Sequence, residues 1–157
     1  MTSKKKEILA APCGLYCGAC RLYVSRKRGD EMALAQIMEE ASKRLNRPVS
    51  PEEDLACEGC PSDSVAVICR QCRIRACALE KGVNRCATCP DFPCQVITDF
   101  NNDGRPHHSE VLSNIGRQRE ITLAKWLEEQ ENKWRCAACG ARIHWYEVTC
   151  PECAEKC

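Results

Sequence analysis

Sixteen cysteines, most of them in closely spaced pairs, are the residues of this 157-residue chain whose types and spacing could do chemistry. Six Cys-x-x-Cys pairs occur: Cys17/Cys20, Cys57/Cys60, Cys69/Cys72, Cys86/Cys89, Cys136/Cys139 and Cys150/Cys153. The other four cysteines are Cys13, Cys77, Cys94 and Cys157. Two cysteines at this spacing can bring both thiolates to one tetrahedral ion from a single tight turn. The pattern therefore predicts metal binding through thiolates.

The rest of the sequence favours metal sites over disulfides. The chain begins with a basic run and only four apolar residues before Pro12, too few for the hydrophobic region of a secretory signal peptide. No later stretch approaches the roughly 18 apolar residues of a membrane span. We therefore expect a cytoplasmic protein that does not enter a membrane and whose reduced thiols are free to bind metal.

Large apolar side chains are scarce in this sequence. Leu, Ile, Val and Phe together number 28 of 157 residues, below the roughly 20% at which globular folding becomes doubtful. A structural zinc site supplies an apparent binding free energy of roughly 10–16 kcal/mol, much of which is folding free energy. We expect bound metal to replace the missing apolar burial, and the metal-free protein to be partly or wholly unfolded.

The last part of the chain, residues 133–157, has the pattern of a zinc ribbon. Two Cys-x-x-Cys knuckles flank ten residues that are rich in strand formers such as Trp145 and Val148. The predicted ligands are Cys136, Cys139, Cys150 and Cys153. Because all four corners would be thiolates, no position is open for water or substrate, and the site is predicted to be structural. Cys157 is left over as an exposed terminal thiol.

The eleven cysteines before the ribbon define a second, cysteine-rich metal-binding domain, predicted to span residues 13–100. Its predicted ligands are Cys13, Cys17, Cys20, Cys57, Cys60, Cys69, Cys72, Cys77, Cys86, Cys89 and Cys94. The spacing leaves the pairing open. The first Cys-x-x-Cys pair can join the second and the third can join the fourth, or the neighbouring second and third pairs can share an ion.

Three cysteines of this domain remain after either pairing, one ligand short of a third site. They are Cys13, Cys77 and Cys94. A histidine, His107 or His108, could complete that site, although a solvated loop is the favoured interpretation of the two histidines.

An internal repeat bears on the identity of the metal. Cys69-x2-Cys72-x4-Cys77 recurs 17 residues later as Cys86-x2-Cys89-x4-Cys94, and each copy predicts a knuckle whose third cysteine lies in or near the first turn of a helix. Each triplet could hold an iron–sulfur cluster with one distant thiolate. Because the bacterial ferredoxin spacing is absent, we expect zinc, about three or four ions, with an iron–sulfur cluster as the alternative.

The predicted fold is a small, metal-stabilised, α-rich (α+β) protein. Residues 1–12 are expected to form a basic tail, and residues 101–132 a loop and helical linker. The clearest helix is predicted at 30–47, with Asp30 as its cap. Its apolar stripe consists of Leu34, Ile37, Met38, Ala41 and Leu45.

Two shorter predictions concern the linker. A helix from Ser109 to Ile115 is expected to end at Gly116, and a longer helix is expected from about Arg119 to Asn132.

The function that these patterns favour is a non-enzymatic interaction or adaptor module whose partner is another protein. Closed thiolate sites without a paired acid and base motivate it. An iron–sulfur or redox protein is one alternative. A second is nucleic-acid binding through the ribbon, with Arg142 and Trp145 as contacts. Four sites of four thiolates would take the formal net charge from +1 to about −7, which disfavours nucleic acid.

Three motifs in order also resemble a known family. PCGLYCGAC, CEGCP and CRQCRIRACALEKGVNRCATCPDFPC lie within about residues 10–100 and resemble a bacterial and archaeal cysteine-rich family, domain of unknown function 3795. The resemblance implies metal binding by the eleven cysteines from Cys13 to Cys94. It implies no activity and no substrate.

Overall fold

Short helices are the main regular elements of the computed structural model, which describes residues 6–157. About half of the chain is helical, and within residues 6–157 β structure is limited to three isolated antiparallel bridges. Seven α-helices lie between residues 21 and 133: α1 Arg21–Arg28, α2 Glu31–Leu45, α3 Val67–Arg70, α4 Arg73–Glu80, α5 Gln95–Asn101, α6 Val111–Glu120 and α7 Leu123–Lys133. Three 3-10 turns accompany them: Cys17–Ala19, Cys86–Thr88 and Pro106–Glu110. The predicted helix-rich class is confirmed.

Helix α2 shows how directly the sequence sets local structure. The Asp30 carboxylate accepts the backbone N–H of Ala33 at 3.0 Å and caps the helix start. The helix ends at Leu45, because Asn46 adopts a left-handed backbone conformation with φ 51°. The predicted apolar stripe packs in one core with Leu22 of α1 and with Leu55. The observed helix is two residues shorter at its end than the predicted one.

A second core joins α7 to the first cysteine knuckle. Trp126 is fully buried, and its ring meets the ring of Tyr16 edge-on, with 6.3 Å between centroids and 84° between planes. Leu127 and Tyr23 complete the same cluster. Edge-to-face aromatic pairs of this kind contribute about 1 kcal/mol beyond the area they bury. Helix α7 is therefore part of the main body of the protein.

Helix α6 contributes to a third core that also contains cysteines of the N-terminal domain. Val111 and Ile115 of α6 are fully buried and pack with Ile97 of α5 and Ile74 of α4. The expectation of a linker at 101–132 therefore needs revision. Both helices of this segment supply the apolar burial that the cysteine-rich domain lacks on its own.

Gly116 does not end α6, contrary to the sequence-based expectation. The helix continues to Glu120, and a Cβ built on Gly116 would meet no atom within 4 Å. A glycine inside a helix costs about 1 kcal/mol relative to alanine. Burial of Val111 and Ile115 outweighs that cost. The break comes at Ile121, whose backbone is extended, and Thr122 then caps α7 by accepting the Lys125 N–H at 3.3 Å.

The predicted basic tail divides into two parts. Residues 1–5 lie outside the described residues. Leu9, Ala10 and Ala11 are buried in the cores, so the end of the predicted tail belongs to the folded body. Among the described residues, no helix has the length and apolar character that crossing a membrane requires.

Candidate metal centre

The two C-terminal Cys-x-x-Cys pairs fold into two turns with the same hydrogen-bond pattern. The Cys136 amide donates to the carbonyl oxygen of Ala141 at 2.8 Å, and the Cys150 amide donates to that of Glu155 at 2.8 Å. One isolated bridge adjoins each turn, Arg135 with Arg142 and Thr149 with Lys156. The strand character expected between the knuckles is thus reduced to single bridges, and the two turns face each other.

Each turn contains one residue with a left-handed backbone. Gly140, with φ 73°, donates its amide to the Cys136 carbonyl at 2.8 Å. Ala154, with φ 60°, occupies the same place in the second turn and donates to the Cys150 carbonyl at 2.9 Å. Glycine adopts this conformation freely, whereas a Cβ makes it unfavourable by about 1 kcal/mol. The second turn is therefore the more strained one.

The four sulfur atoms of these turns come together at the spacing of a single metal site. Sγ of Cys136 lies 3.6 Å from Sγ of Cys153, and Sγ of Cys139 lies 3.6 Å from Sγ of Cys150. All four lie within 4.8 Å of one another. Tetrahedral zinc with Zn–S bonds of about 2.3 Å would set its sulfurs about 3.8 Å apart. The cluster can therefore hold one metal ion.

Backbone amides favour the thiolate form of one of these ligands. The N–H groups of Cys139 and Ala138 point at Sγ of Cys136 and lower the pKa of its thiol to about 7. The thiolate is the form that binds metal. The turn that brings the two cysteines together thus also prepares one of them for ligation.

The ribbon-like module, residues 133–157, is docked on the N-terminal body by hydrogen bonds from residues 142–147 and by packing of Trp134. Arg142 Nη1 donates to the Tyr16 hydroxyl at 3.0 Å and to the Gly18 carbonyl at 3.2 Å. The Trp145 amide donates to the carbonyl of Ala19 at 3.1 Å. The module therefore contacts the 3-10 turn that carries the first cysteine knuckle.

An ion pair ties the same segment to α1. Arg28 donates to both carboxylate oxygens of Glu147 and to the carbonyl of Arg142. Glu147 also accepts the backbone N–H of His144 at 2.7 Å. Both side chains of the pair are largely buried, and the contacts with Glu147 hold the pKa of Arg28 above its usual range despite partial burial.

Of the two adjacent histidines, His107 lies at this junction and His108 is buried in the body beside it, so neither lies in a solvated loop. The His107 ring stacks on Trp145 with 4.3 Å between centroids, and its Nδ1 lies 2.7 Å from the Tyr146 hydroxyl. His108 is buried, with Nδ1 2.8 Å from Oδ2 of Asp103. Sequence reasoning missed this role because nothing in the local sequence around the histidines points to a partner some 38 residues away.

The eleven N-terminal cysteines divide into neighbouring groups. One group lines a single cavity: Cys77, Cys86, Cys89 and Cys94. The other seven lie around the first knuckle and the segment 57–72: Cys13, Cys17, Cys20, Cys57, Cys60, Cys69 and Cys72. The first triplet of the repeat is therefore divided, because Cys77 faces the second triplet.

Contacts within the group of seven are close. The Cys60 amide donates to Sγ of Cys17 at 3.3 Å. Burial raises the pKa of the Cys13 thiol, and the charges of the nearby Cys60 and Cys72 thiolates raise it further, against a lowering contribution from the Leu15 amide. The raised pKa keeps the Cys13 thiol protonated at neutral pH. A bound cation would offset the repulsion between thiolates and favour their deprotonation.

The spacing of the N-terminal sulfurs differs from that of the C-terminal site. Among residues 6–157, the C-terminal four are the one set of three or more His, Cys, Asp or Glu side chains whose ligand atoms all lie within 4.8 Å of one another. Neither His107 nor His108 joins such a set. The structure therefore brings eleven predicted ligands into two neighbourhoods without the tight spacing of the ribbon.

The repeat places its third cysteines differently. Cys94 immediately precedes α5, where the sequence predicted it. Cys77 lies in the second turn of α4, and Cys72 occupies the position before that helix. The difference arises because α4 begins directly after the knuckle, whereas in the second copy a turn containing Pro93 separates the knuckle from its helix.

Together, the fold and the site define a small, helix-rich, cysteine-rich protein with a four-cysteine cluster that can hold a metal ion. Over residues 9–99 the chain matches the model of the family described as "Protein of unknown function (DUF3795)". The match covers more than half of the chain, which therefore belongs to this family, and the resemblance of its motifs is confirmed. No curated protein and no solved structure matches the chain.

Proposed function

We propose that Cys136, Cys139, Cys150 and Cys153 bind one zinc ion and make residues 133–157 a structural zinc ribbon. The observation that carries this proposal is the pair of 3.6 Å sulfur separations, close to the edge of a zinc–thiolate tetrahedron. Four thiolates complete the coordination, so no position remains for water or substrate. The site acts by holding the module in shape.

The role of this zinc follows from what the ribbon contains. Its own core consists of Ile143 and the cysteines, with Trp134 and Ala141 partly buried beside them. So small a core cannot offset the conformational entropy lost by about 25 ordered residues, each costing roughly 1–2 kcal/mol. Zinc binding supplies the difference, and the ordered ribbon then presents Arg142 and Trp145 to the N-terminal body.

The protein as a whole is proposed to be a non-enzymatic interaction or adaptor module in the cytoplasm, with another protein as its partner. The docking contacts favour this proposal over nucleic-acid binding by the ribbon. Arg142 already binds Tyr16 and Gly18, and Trp145 is stacked on His107. A nucleic acid that needs these two side chains would have to displace the ribbon from the body.

A groove on the N-terminal cysteine-rich domain is the proposed binding surface for that partner. It has a volume of about 380 Å³ and is lined by Ile8, Leu79 and Val83 together with Arg75 and Arg85. Leu79 is 67% exposed. Nε of Arg85 is buried and has no hydrogen-bond partner within the described residues. The groove suits a protein segment that carries an apolar side chain next to a carboxylate.

Metal analysis of the full chain tests the zinc proposal. Native mass spectrometry should find one zinc ion that is lost in Cys139→Ser and kept in Cys157→Ser, since Cys157 is exposed and outside the cluster. Equal zinc content in wild type and Cys139→Ser would contradict the assignment.

Site-specific crosslinking tests the partner proposal. A photoreactive side chain at position 79 should capture a protein that the same group at position 32 does not capture, because Met32 is even more exposed (79%) but lies on α2, away from the groove. The captured protein, once purified, should bind the wild-type chain and its Met32→Asp variant, and lose binding to Leu79→Asp. The same captured proteins at both positions would overturn the proposal.

A further inference from the structure

Four cysteines that the sequence spacing did not group together surround one cavity. They are Cys77, Cys86, Cys89 and Cys94. The remaining lining side chains are apolar, except for Lys81. The cavity is thus a small, mostly apolar chamber in which four cysteine sulfurs are available as metal ligands. It is separate from the ribbon.

Contacts remote from the sulfurs fix the frame of this chamber. Cys86 and Cys89 are held by a 3-10 turn in which the Cys89 amide donates to the Cys86 carbonyl at 3.1 Å. The Cys86 amide also donates to the carbonyl of Pro12 at 2.9 Å. An ion pair between Lys81 and Asp91 links the end of α4, which carries Cys77, to the loop between Cys89 and Cys94.

Cationic side chains lie beside the chamber. Lys81 is one of its lining residues. The Arg119 guanidinium donates to the Cys89 carbonyl at 3.5 Å and lies 5.4 Å from the ring centroid of Phe92. A metal centre with four thiolate ligands is anionic, so these cations would stabilise it.

The sulfur spacing distinguishes the kinds of centre that this chamber can take. No three of its four sulfurs lie within 4.8 Å of one another, whereas all four ribbon sulfurs do. One zinc ion would draw all four to about 3.8 Å. A [4Fe–4S] cluster binds each of four thiolates at a different iron and therefore keeps all four further apart.

We propose that Cys77, Cys86, Cys89 and Cys94 ligate an iron–sulfur cluster in this chamber, while the ribbon holds zinc. Apolar side chains border the cluster on part of its surface, the four cysteines are partly exposed, and the surrounding hydrogen bonds and ion pair hold the four thiols in place. The cluster goes beyond the zinc site proposed above and does not depend on it, since the two sets share no ligand.

Anaerobic purification of the full chain, followed by measurement of iron, acid-labile sulfide and zinc, tests the proposal. The wild-type protein should be brown and contain iron and sulfide in matched amounts in addition to zinc. Cys94→Ser and Cys77→Ser should each lose iron and sulfide in equal numbers and keep the ribbon zinc. Cys139→Ser should lose zinc and keep iron, and Cys157→Ser should lose neither.

Several results would overturn the cluster. They are a wild-type protein without iron and sulfide, and a Cys94→Ser protein with unchanged iron. Loss of zinc in place of iron on substitution of Cys94 or Cys77 would also do so. The iron and sulfide content of the wild-type protein tests the proposal by itself. The proposal can therefore still be refuted if a variant fails to fold. Failure of the ribbon assignment would show separately, as unchanged zinc in Cys139→Ser.

Discussion

Arg142 of the C-terminal module donates a hydrogen bond of 3.0 Å to the hydroxyl of Tyr16 in the first cysteine knuckle. The same guanidinium reaches the Gly18 carbonyl and Glu131 of α7. One side chain thus joins the ribbon to two other parts of the body. The contact couples the C-terminal module to the N-terminal cysteine-rich domain, because the module cannot move away without leaving these acceptors unpaired.

Arg142→Ala should destabilise the protein and loosen the ribbon. Hydrogen bonds to charged groups contribute about 1.5–3 kcal/mol each, so the unfolding free energy should fall by about 2 kcal/mol. Hydrogen exchange should rise in residues 142–147. Arg135→Ala is the control, since the Arg135 side chain is 41% exposed against 22% for Arg142. Within residues 6–157 it makes no bond to the first knuckle, and its pair with Glu131 should contribute less than about 1 kcal/mol. Equal effects of both substitutions would contradict the docking role of Arg142.

Ala154→Gly should stabilise the ribbon. The residue has φ 60°, which glycine adopts without the strain that a Cβ brings. Since folding and metal binding are coupled, the protein should bind zinc more tightly in competition with a chelator, by a factor in affinity that corresponds to about 1 kcal/mol. Gly140 has φ 73°, and a Cβ added there would meet open space. The matched change Gly140→Ala should therefore lower the affinity for zinc by a similar amount. The two variants should change the zinc affinity in opposite directions, and a change in the same direction would refute the equivalence of the two turns.

Gly59→Ala should disrupt the N-terminal domain. A Cβ at this position would overlap the carbonyl oxygen of Ile8, and the backbone has φ 136°. The expected loss of stability is about 3 kcal/mol or more, because backbone atoms must move. Gly104→Ala, also at positive φ but in open space, should cost only about 1 kcal/mol. Chemical denaturation of both variants measures the difference, and similar midpoints would count against the close approach.

The junction at His107 should weaken as the pH falls. Burial against Trp145 and Tyr146, with smaller contributions from the charges of His108 and Arg105, lowers the pKa of His107 from 6.5 to about 4. The unfolded chain therefore takes up a proton at a higher pH than the folded one. The contribution of His107 to stability is complete above about pH 6.5 and is lost as the pH falls towards 4.

An NMR titration of the histidine rings checks this prediction. The His107 resonance should titrate near pH 4, and His107→Gln should make docking of the ribbon less dependent on pH between 6.5 and 4. A His107 ring that titrates near pH 6.5 would show that the stacked position on Trp145 is not occupied in solution.

Local structure was predictable wherever neighbouring residues determine it. The capped helix α2 and the closed ribbon knuckles both follow from patterns within a few residues, because Asp30 bonds its own first turn and a Cys-x-x-Cys turn is self-contained. The division of the cysteines was not predictable. Cys77 faces Cys86 and Cys94 because α4 packs near the second knuckle, and the spacing within the repeat contains no information about that packing.

The role of residues 101–133 could not be predicted for a related reason. Loop residues and a glycine suggested a linker, but Val111, Ile115 and Trp126 are fully buried against parts of the chain far away in sequence. Tertiary burial outweighed the local signal at Gly116. The apolar residues that seemed too few for a core are concentrated at the interfaces around the cysteine knuckles.

The central proposal is that metal–thiolate bonds add stability that the small apolar cores cannot supply alone, and thermal unfolding of the metal-stripped, fully reduced chain tests it most directly. Tryptophan fluorescence, to which the fully buried Trp126 contributes beside Trp134 and Trp145, reports the state of the body. We predict that removal of metal abolishes the cooperative transition and shifts tryptophan emission to that of an exposed ring, with recovery when metal is restored. A metal-free protein that keeps a cooperative transition and a native emission spectrum would contradict the claim.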